Sequence, residues 1–320
     1  MRVLPRVRLW HHAPLQRLVD LMPGIEGAAD PVQRSSRRCA GQVVLHHMLT
    51  RGRPLVRRVV FAVLLITVLT ARASAQSASA KPELITFRSG ELDLKGFIWK
   101  PAGVGPFPTI LWNHGSERLP GAVDPVAPFF VARGYVFFVP HRRGQGRSPG
   151  PYIMDQLRAA GRERSTMLVR LHEAHLRDQL AALTYLKSVP FVDQRRLAAT
   201  GYSFGGIQTM LAVERGSGYR AAVNCSGAAQ TWSSSPELRD RLIRAAHKAV
   251  VPVFFLQAQN DYDLTPNRVL GEHMKASGKP LESKVYPSYG FGAQGGHSFC
   301  VQGASIWGPD VVRFLQAHLK

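Results

Sequence analysis

Five residues constrain this chain most: Gly201-Tyr202-Ser203-Phe204-Gly205, standing between a strand-like apolar run, Arg196 to Tyr202, and a helix-like one, Phe204 to Val213. A glycine at each end removes the Cβ atoms that would hold strand and helix apart, so the chain can turn sharply with Ser203 at the tip. The plainer alternative is a glycine-rich turn whose serine caps a helix. The pentad's place at the end of a strand argues for a serine displayed at the edge of a sheet.

The rest of the chain agrees with such a sheet. Leu84 to Phe87 and Leu92 to Trp99 read as two strands around a Ser89-Gly90 turn. Pro108 to Trp112, Tyr135 to Val139, Ala221 to Cys225, Val251 to Gln257 and Glu282 to Tyr286 are further short strand-like runs. Helical segments are expected at Val126 to Arg133, Ser165 to Lys187, residues 237 to 248, Pro266 to Ser277 and Ile306 to His318. Residues 141 to 162 read as loop with room for a short helix. Strands alternating with helices imply an α/β fold: a mostly parallel sheet covered on both faces, with an antiparallel strand at one edge. Ligand chemistry in such sheets lies at the carboxyl ends of the strands.

The first 75 residues read differently. Residues 59 to 70 form an uncharged apolar run preceded by Arg51, Arg53, Arg57 and Arg58 and followed by Ala73-Ser74-Ala75. A basic flank, an apolar stretch and an A-x-A site describe a secretory signal peptide at 48–75. An uncleaved anchor is the alternative, but at roughly 1.5 Å per residue the run is short for a ~30 Å hydrocarbon core. Residues 1–47 are expected to be a disordered or mis-assigned extension with Met48 as the true start, leaving 76–320 as one exported domain, periplasmic or secreted, with no stable membrane span. His11-His12, His46-His47 and Cys39 show no metal-ligand spacing. Of the 41 Lys and Arg and 21 Asp and Glu, 12 and 3 lie before Gln76, which leaves a formal net charge of +11 for the remainder. That charge is scattered, which argues against nucleic-acid binding. Cys225 and Cys300 stand free either to pair after export or to pack as small apolar residues.

A serine nucleophile needs a base, and the base an orienting carboxylate. Asp261, in the turn after Phe254-Phe255-Leu256, is the first choice for the acid, with Asp263 as the alternative. His297, in what reads as a flexible Gly295-Gly296 loop, is the base. The order Ser203, Asp261, His297 is the order that a nucleophile elbow of this kind requires. An oxyanion hole would use the backbone N–H groups of Phe204 and Ser116, the latter in the loop Trp112-Asn113-His114-Gly115-Ser116, which His114 shapes. The other histidines, including His172 and His175, are expected to be surface or packing residues. Loops 116–124, 150–165 and 227–240 are expected to line the substrate pocket, with Trp232, Tyr289 and Phe291 as candidate walls.

Asn113-His114-Gly115, Arg142 to Gly150, the Ser203 elbow, Asn260-Asp261 and Gly296-His297 follow one another in an order that resembles dienelactone hydrolase-like α/β-hydrolases and the related prolyl oligopeptidase-type domains. The resemblance covers about residues 84–320. It implies an α/β-hydrolase fold with little or no cap, no cofactor or metal, and hydrolysis of a small carboxylic ester or lactone through an acyl-enzyme. It also implies that Arg143 to Gly150 are structural, with an arginine bracing the oxyanion loop. His141 stands where an aspartate is usual, and Ala258 replaces a usual glycine. A peptidase, or a silent hydrolase fold used for binding, is the alternative. Peptidases of this type commonly carry a large propeller, for which the sequence shows no segment. The native precursor should begin at Met48 and the exported protein at Gln76; N-terminal sequencing that recovers residues 1–47 would refute this.

Overall fold

The computed structural model describes residues 81–320, so the expected extension and signal peptide lie outside the described residues. Eight strands form one sheet: β1 (Glu83–Ser89), β2 (Leu92–Trp99), β3 (Phe107–Asn113), β4 (Val136–Pro140), β5 (Val192–Tyr202), β6 (Ala221–Cys225), β7 (Val253–Ala258) and β8 (Leu281–Tyr286). Their spatial order is β1-β2-β4-β3-β5-β6-β7-β8. Strand β2 runs antiparallel to both neighbours, and every other pairing is parallel. The expected antiparallel edge is therefore present.

Each central strand buries both of its faces, as a parallel sheet covered by helices must. On β4, Val136 and Phe138 point to one buried cluster while Phe137 and Val139 point to the other. On β7, Val253 and Phe255 alternate with Phe254 and Leu256 in the same way. Eight helices lie among the described residues: α1 (Ala127–Val131), α2 (Ile153–Ala159), α3 (Arg164–Ser188), α4 (Phe204–Val213), α5 (Pro236–Lys248), α6 (Thr265–Ala276), α7 (Gly292–Gln302) and α8 (Ala304–His318). Residues of α2 to α6 join the first cluster, and those of α1, α7 and α8 the second. None of the described helices is long and apolar enough to cross a membrane.

Most expected elements lie within a few residues of their observed bounds. Helix α7 is the exception, because residues 292 to 302 contain Gly292, Gly295 and Gly296 and read as loop. Each interior glycine costs a helix about 1 kcal/mol relative to alanine. Here tertiary packing outweighs that cost: Phe299 and Cys300 are buried in the second cluster, and the glycines let the helix lie against the turn after β7.

Cys225, at the end of β6, is disulfide-bonded to Cys300 on α7. The bond spans 75 residues of chain and joins two elements beside the Ser203 turn. Closing a long loop in this way typically contributes about 2–4 kcal/mol. Changing both cysteines to serine should lower stability by about that amount, read as a lower urea midpoint. Equal midpoints for the two proteins would contradict a stabilising bond.

Candidate active site

The Ser203 turn is strained in the way its sequence implies. Ser203 has φ +56° and ψ −118°, a conformation that costs a non-glycine residue on the order of 1–3 kcal/mol. Close packing holds it there. A Cβ on Gly205 would overlap the Asn113 carbonyl of β3, and one on Gly201 would overlap the Gly205 carbonyl. The Ser203 N–H donates to the Cys225 carbonyl at 3.0 Å, which ties the turn to β6. Ser203 is 6% exposed. Phe204 opens α4, so its N–H has no carbonyl within the helix to meet.

At the end of β7 the two candidate acids separate by geometry. Asp261 Oδ1 accepts the His297 Nδ1 hydrogen at 2.8 Å. Its carboxylate also accepts the Tyr262 N–H at 2.7 Å and the Gln257 side-chain amide at 3.0 Å. Asp263 instead accepts the Thr265 N–H at 2.8 Å, at the first residue of α6. His297 comes from helix α7 and not from a flexible loop. A Cβ on Gly296 would lie 2.5 Å from Asn260 C and Asp261 N, so glycine there is what allows the helix to bring His297 up to Asp261. The ring sits between Tyr202 and Tyr262, with centroids at 5.4 and 5.5 Å. Its Nε2 is buried with no hydrogen-bond partner, so the Ser203–His297 hydrogen bond is not formed. Catalytic hydrogen bonds in unliganded sites are often long and tighten with substrate.

The loop after β3 is gripped from behind. Arg142, fully buried, donates from Nη1 to the His114 carbonyl at 2.9 Å and from Nη2 to the Gly115 carbonyl at 2.5 Å. Gln145 Nε2 donates to the Glu117 carbonyl at 2.8 Å, and Tyr152 Oη to the Ser116 carbonyl at 2.5 Å. With these carbonyls held, the orientation of the Ser116 peptide is set. Ser116 and Phe204, the two expected oxyanion donors, line one cavity of about 350 Å³.

The bracing arginine is thus Arg142, just ahead of the expected Arg143 to Gly150 stretch. Arg143 pairs with Asp178 of α3 at 2.6 Å, and Ser89 Oγ donates to the same carboxylate at 2.8 Å. Adjacent side chains leaving a strand point to opposite sides, so only one arginine can face the loop.

The expected pocket loops do line cavities. Met154, Leu157, Thr231 and Ser235 share the Ser116–Phe204 cavity, while Glu117 and residues 120–125 line a second one with Tyr202. The expected aromatic walls are absent from both. Trp232 and Tyr289 pack into the two cores, each joining the apolar layer that lies nearest, and Phe291 is 97% exposed.

Two features escaped the sequence reading. Glu117, whose Oε1 accepts the Gly115 N–H at 3.2 Å, sits at the loop with its pKa raised by burial. The signal was an acid two residues beyond the loop glycine. Behind Arg142 lie His114, His172 and His175, all buried and held neutral first by burial and then by the arginine's charge. His172 packs on Phe204 with ring centroids 4.9 Å apart. These two α3 histidines are packing residues as expected, but interior ones.

Residues 96–310 match the model of the dienelactone hydrolase family. No curated protein sequence matches the chain significantly. Among solved structures, acylaminoacyl peptidase of Pyrococcus horikoshii superposes with a TM-score of 0.61 at 18% identity, over 78% of this chain and 44% of that one. Dipeptidyl peptidase 4 of Porphyromonas gingivalis gives 0.57 at 17% identity, over 78% and 37%. An esterase of Pyrococcus furiosus gives 0.54 at 16% identity, over 76% of this chain and 92% of its own. The chain therefore spans less than half the length of these peptidases, and at such identities the likeness is one of fold.

The buried histidines carry a pH signature. His172 is lowered to about 3, and His114 and His175 are lowered well below their ordinary value. The unfolded chain binds protons on all three below about pH 6.5 while the folded protein does not. Their contribution is complete above that pH and is lost as pH falls through it, by up to about 1.4 kcal/mol per pH unit for each histidine. Urea unfolding between pH 7 and pH 5 should show this decline, and a flat profile would refute neutral burial.

Proposed function

Given that the chain belongs to the dienelactone hydrolase family and has the α/β-hydrolase fold, we propose that it is a serine hydrolase that cleaves a carboxylic ester or lactone through an acyl-enzyme. The observation that carries this reading is the 2.8 Å Asp261–His297 bond set beside a strained, nearly buried Ser203. Ser203 Oγ attacks the substrate carbonyl carbon while its proton passes to His297 Nε2, the ring nitrogen not engaged by Asp261. Asp261 holds the tautomer and stabilises the imidazolium, as three hydrogen bonds keep its carboxylate in place. The negative oxygen of the tetrahedral intermediate is taken by the N–H groups of Phe204 and Ser116. The carbon–oxygen bond to the leaving group then breaks, and Nε2 returns its proton to that oxygen. Water, deprotonated by the same nitrogen, releases the acid and regenerates Ser203.

The 350 Å³ cavity that begins at Ser116 and Phe204 suits the acyl group, with Met154, Leu157 and Leu168 as its apolar part. A small ester fits a domain whose family match covers residues 96–310. The peptidase neighbours share the fold and motivate a peptide substrate as the alternative. The Cys225–Cys300 bond supports export, since such bonds persist in oxidising compartments.

A fluorophosphonate probe should label Ser203, and p-nitrophenyl esters should be turned over in preference to peptide anilides. Ser203→Ala should abolish labelling, and Asp261→Asn should lower kcat by about 10⁴-fold, the size of effect that removal of a triad aspartate's charge has elsewhere. Asp263→Asn should change it little. Absence of labelling would end the hydrolase mechanism, and anilide turnover without ester turnover would favour the peptidase.

A further inference from the structure

The second cavity, about 250 Å³, is bordered by residues that neighbour His297 and not by His297 itself. Tyr202, whose ring adjoins the imidazole, forms one wall, and Val301, a turn beyond His297 on α7, forms another. The imidazole that accepts the serine proton must deliver it to the departing oxygen, so the leaving group has to lie on this side. The acyl cavity opens on the other, at Ser116 and Phe204.

The lining of the second cavity has one sign of charge. Glu117 and Asp124 belong to it, and no lysine, arginine or histidine does. Arg142 and His297 are the basic groups whose fields reach Glu117, but among the described residues neither forms an ion pair with it; the Arg142 guanidinium is committed to the His114 and Gly115 carbonyls behind the loop, and His297 Nδ1 to Asp261. The hydrogen bond that Glu117 accepts from the Gly115 N–H ends on Oε1 and leaves Oε2 outside it. The walls around the acids are aromatic: the Tyr202 ring and Trp112, which is fully buried. The Trp112 indole N–H meets no acceptor in the protein.

We propose that this cavity is a leaving-group subsite selective for cations, in which Glu117, backed by Asp124 and the face of Tyr202, takes an ammonium or quaternary ammonium group carried on the alcohol. Carboxylate and aromatic faces together are the chemistry that holds such cations. The inference rests on the serine hydrolase reading, because it uses that mechanism to decide which group occupies which cavity. Glu117 acts here as a specificity residue.

Two measurements test it. The first is independent of turnover: calorimetric binding of choline against its uncharged isostere 3,3-dimethylbutanol. Choline should bind on the order of fivefold to tenfold more tightly, the range expected of one cation over aromatic faces with a carboxylate beside it. Glu117→Gln should bring the two alcohols to within about twofold of each other, with circular dichroism confirming that the variant is folded. The second compares kcat/KM for butyrylcholine and 3,3-dimethylbutyl butyrate, each normalised to the fraction of enzyme that reacts with the fluorophosphonate. The cationic ester should be favoured by a similar factor, and the preference should fall in Glu117→Gln and in high salt. Equal binding of the two alcohols by the unaltered protein, or a preference unchanged in Glu117→Gln, would overturn the subsite. Loss of probe labelling alongside intact choline selectivity would instead overturn the hydrolase reading and leave the subsite standing.

Discussion

A guanidinium with almost no access to water organises the site. Arg142 is 2% exposed, and among the described residues no carboxylate forms an ion pair with it. Burying such a charge costs several kcal/mol unless its donors are all met by well-placed acceptors. Arg142 meets that cost with carbonyl oxygens of the loop after β3, with Gln145 and with His114 Nδ1. The same bonds that satisfy the arginine therefore fix the loop expected to supply an oxyanion donor. The surrounding histidines are held neutral first by their own burial and then by the arginine's charge.

Two close approaches complete the arrangement. Glycine at 205 lets α4 start against the Asn113 carbonyl, and glycine at 296 lets α7 lie on the turn that carries Asp261. The first places Ser203 and the second His297. The disulfide from Cys300 to Cys225 secures the same helix to the strand whose carbonyl holds the Ser203 N–H. Serine, acid and histidine thus stand on three elements that are cross-tied at the sheet's carboxyl end. Strain at Ser203 is carried by this packing and by no property of the pentad alone.

Much of this was legible along the chain. The alternation of apolar strands with amphipathic helices announced a covered, mostly parallel sheet, because burial on both faces leaves near-continuous apolar runs such as Val253 to Leu256. The elbow, the acid turn and Gly296-His297 were legible because short-range chemistry demands particular residues at particular spacings. Helix α7 was not, since glycine's weak helix propensity points the other way and only contact with Asn260 explains it. The choice between Arg142 and Arg143, and the fates of Trp232, Tyr289 and Phe291, were hidden for a related reason. Each depends on which way a side chain faces, and that is set by neighbours far off in sequence.

The sequence by itself determined the fold class, the Ser203 turn and the order of the candidate serine, acid and histidine, since those follow from local periodicity and from residue types that the proposed chemistry requires. Tertiary structure paired His297 with Asp261 and not with Asp263, joined the two cysteines, buried Arg142 against the loop and set Glu117 in a cavity with Tyr202. The reason is the same in each case. A hydrogen bond of 2.8 Å, a disulfide or a buried charge depends on the distance between residues 28 to 75 positions apart, which local pattern does not encode.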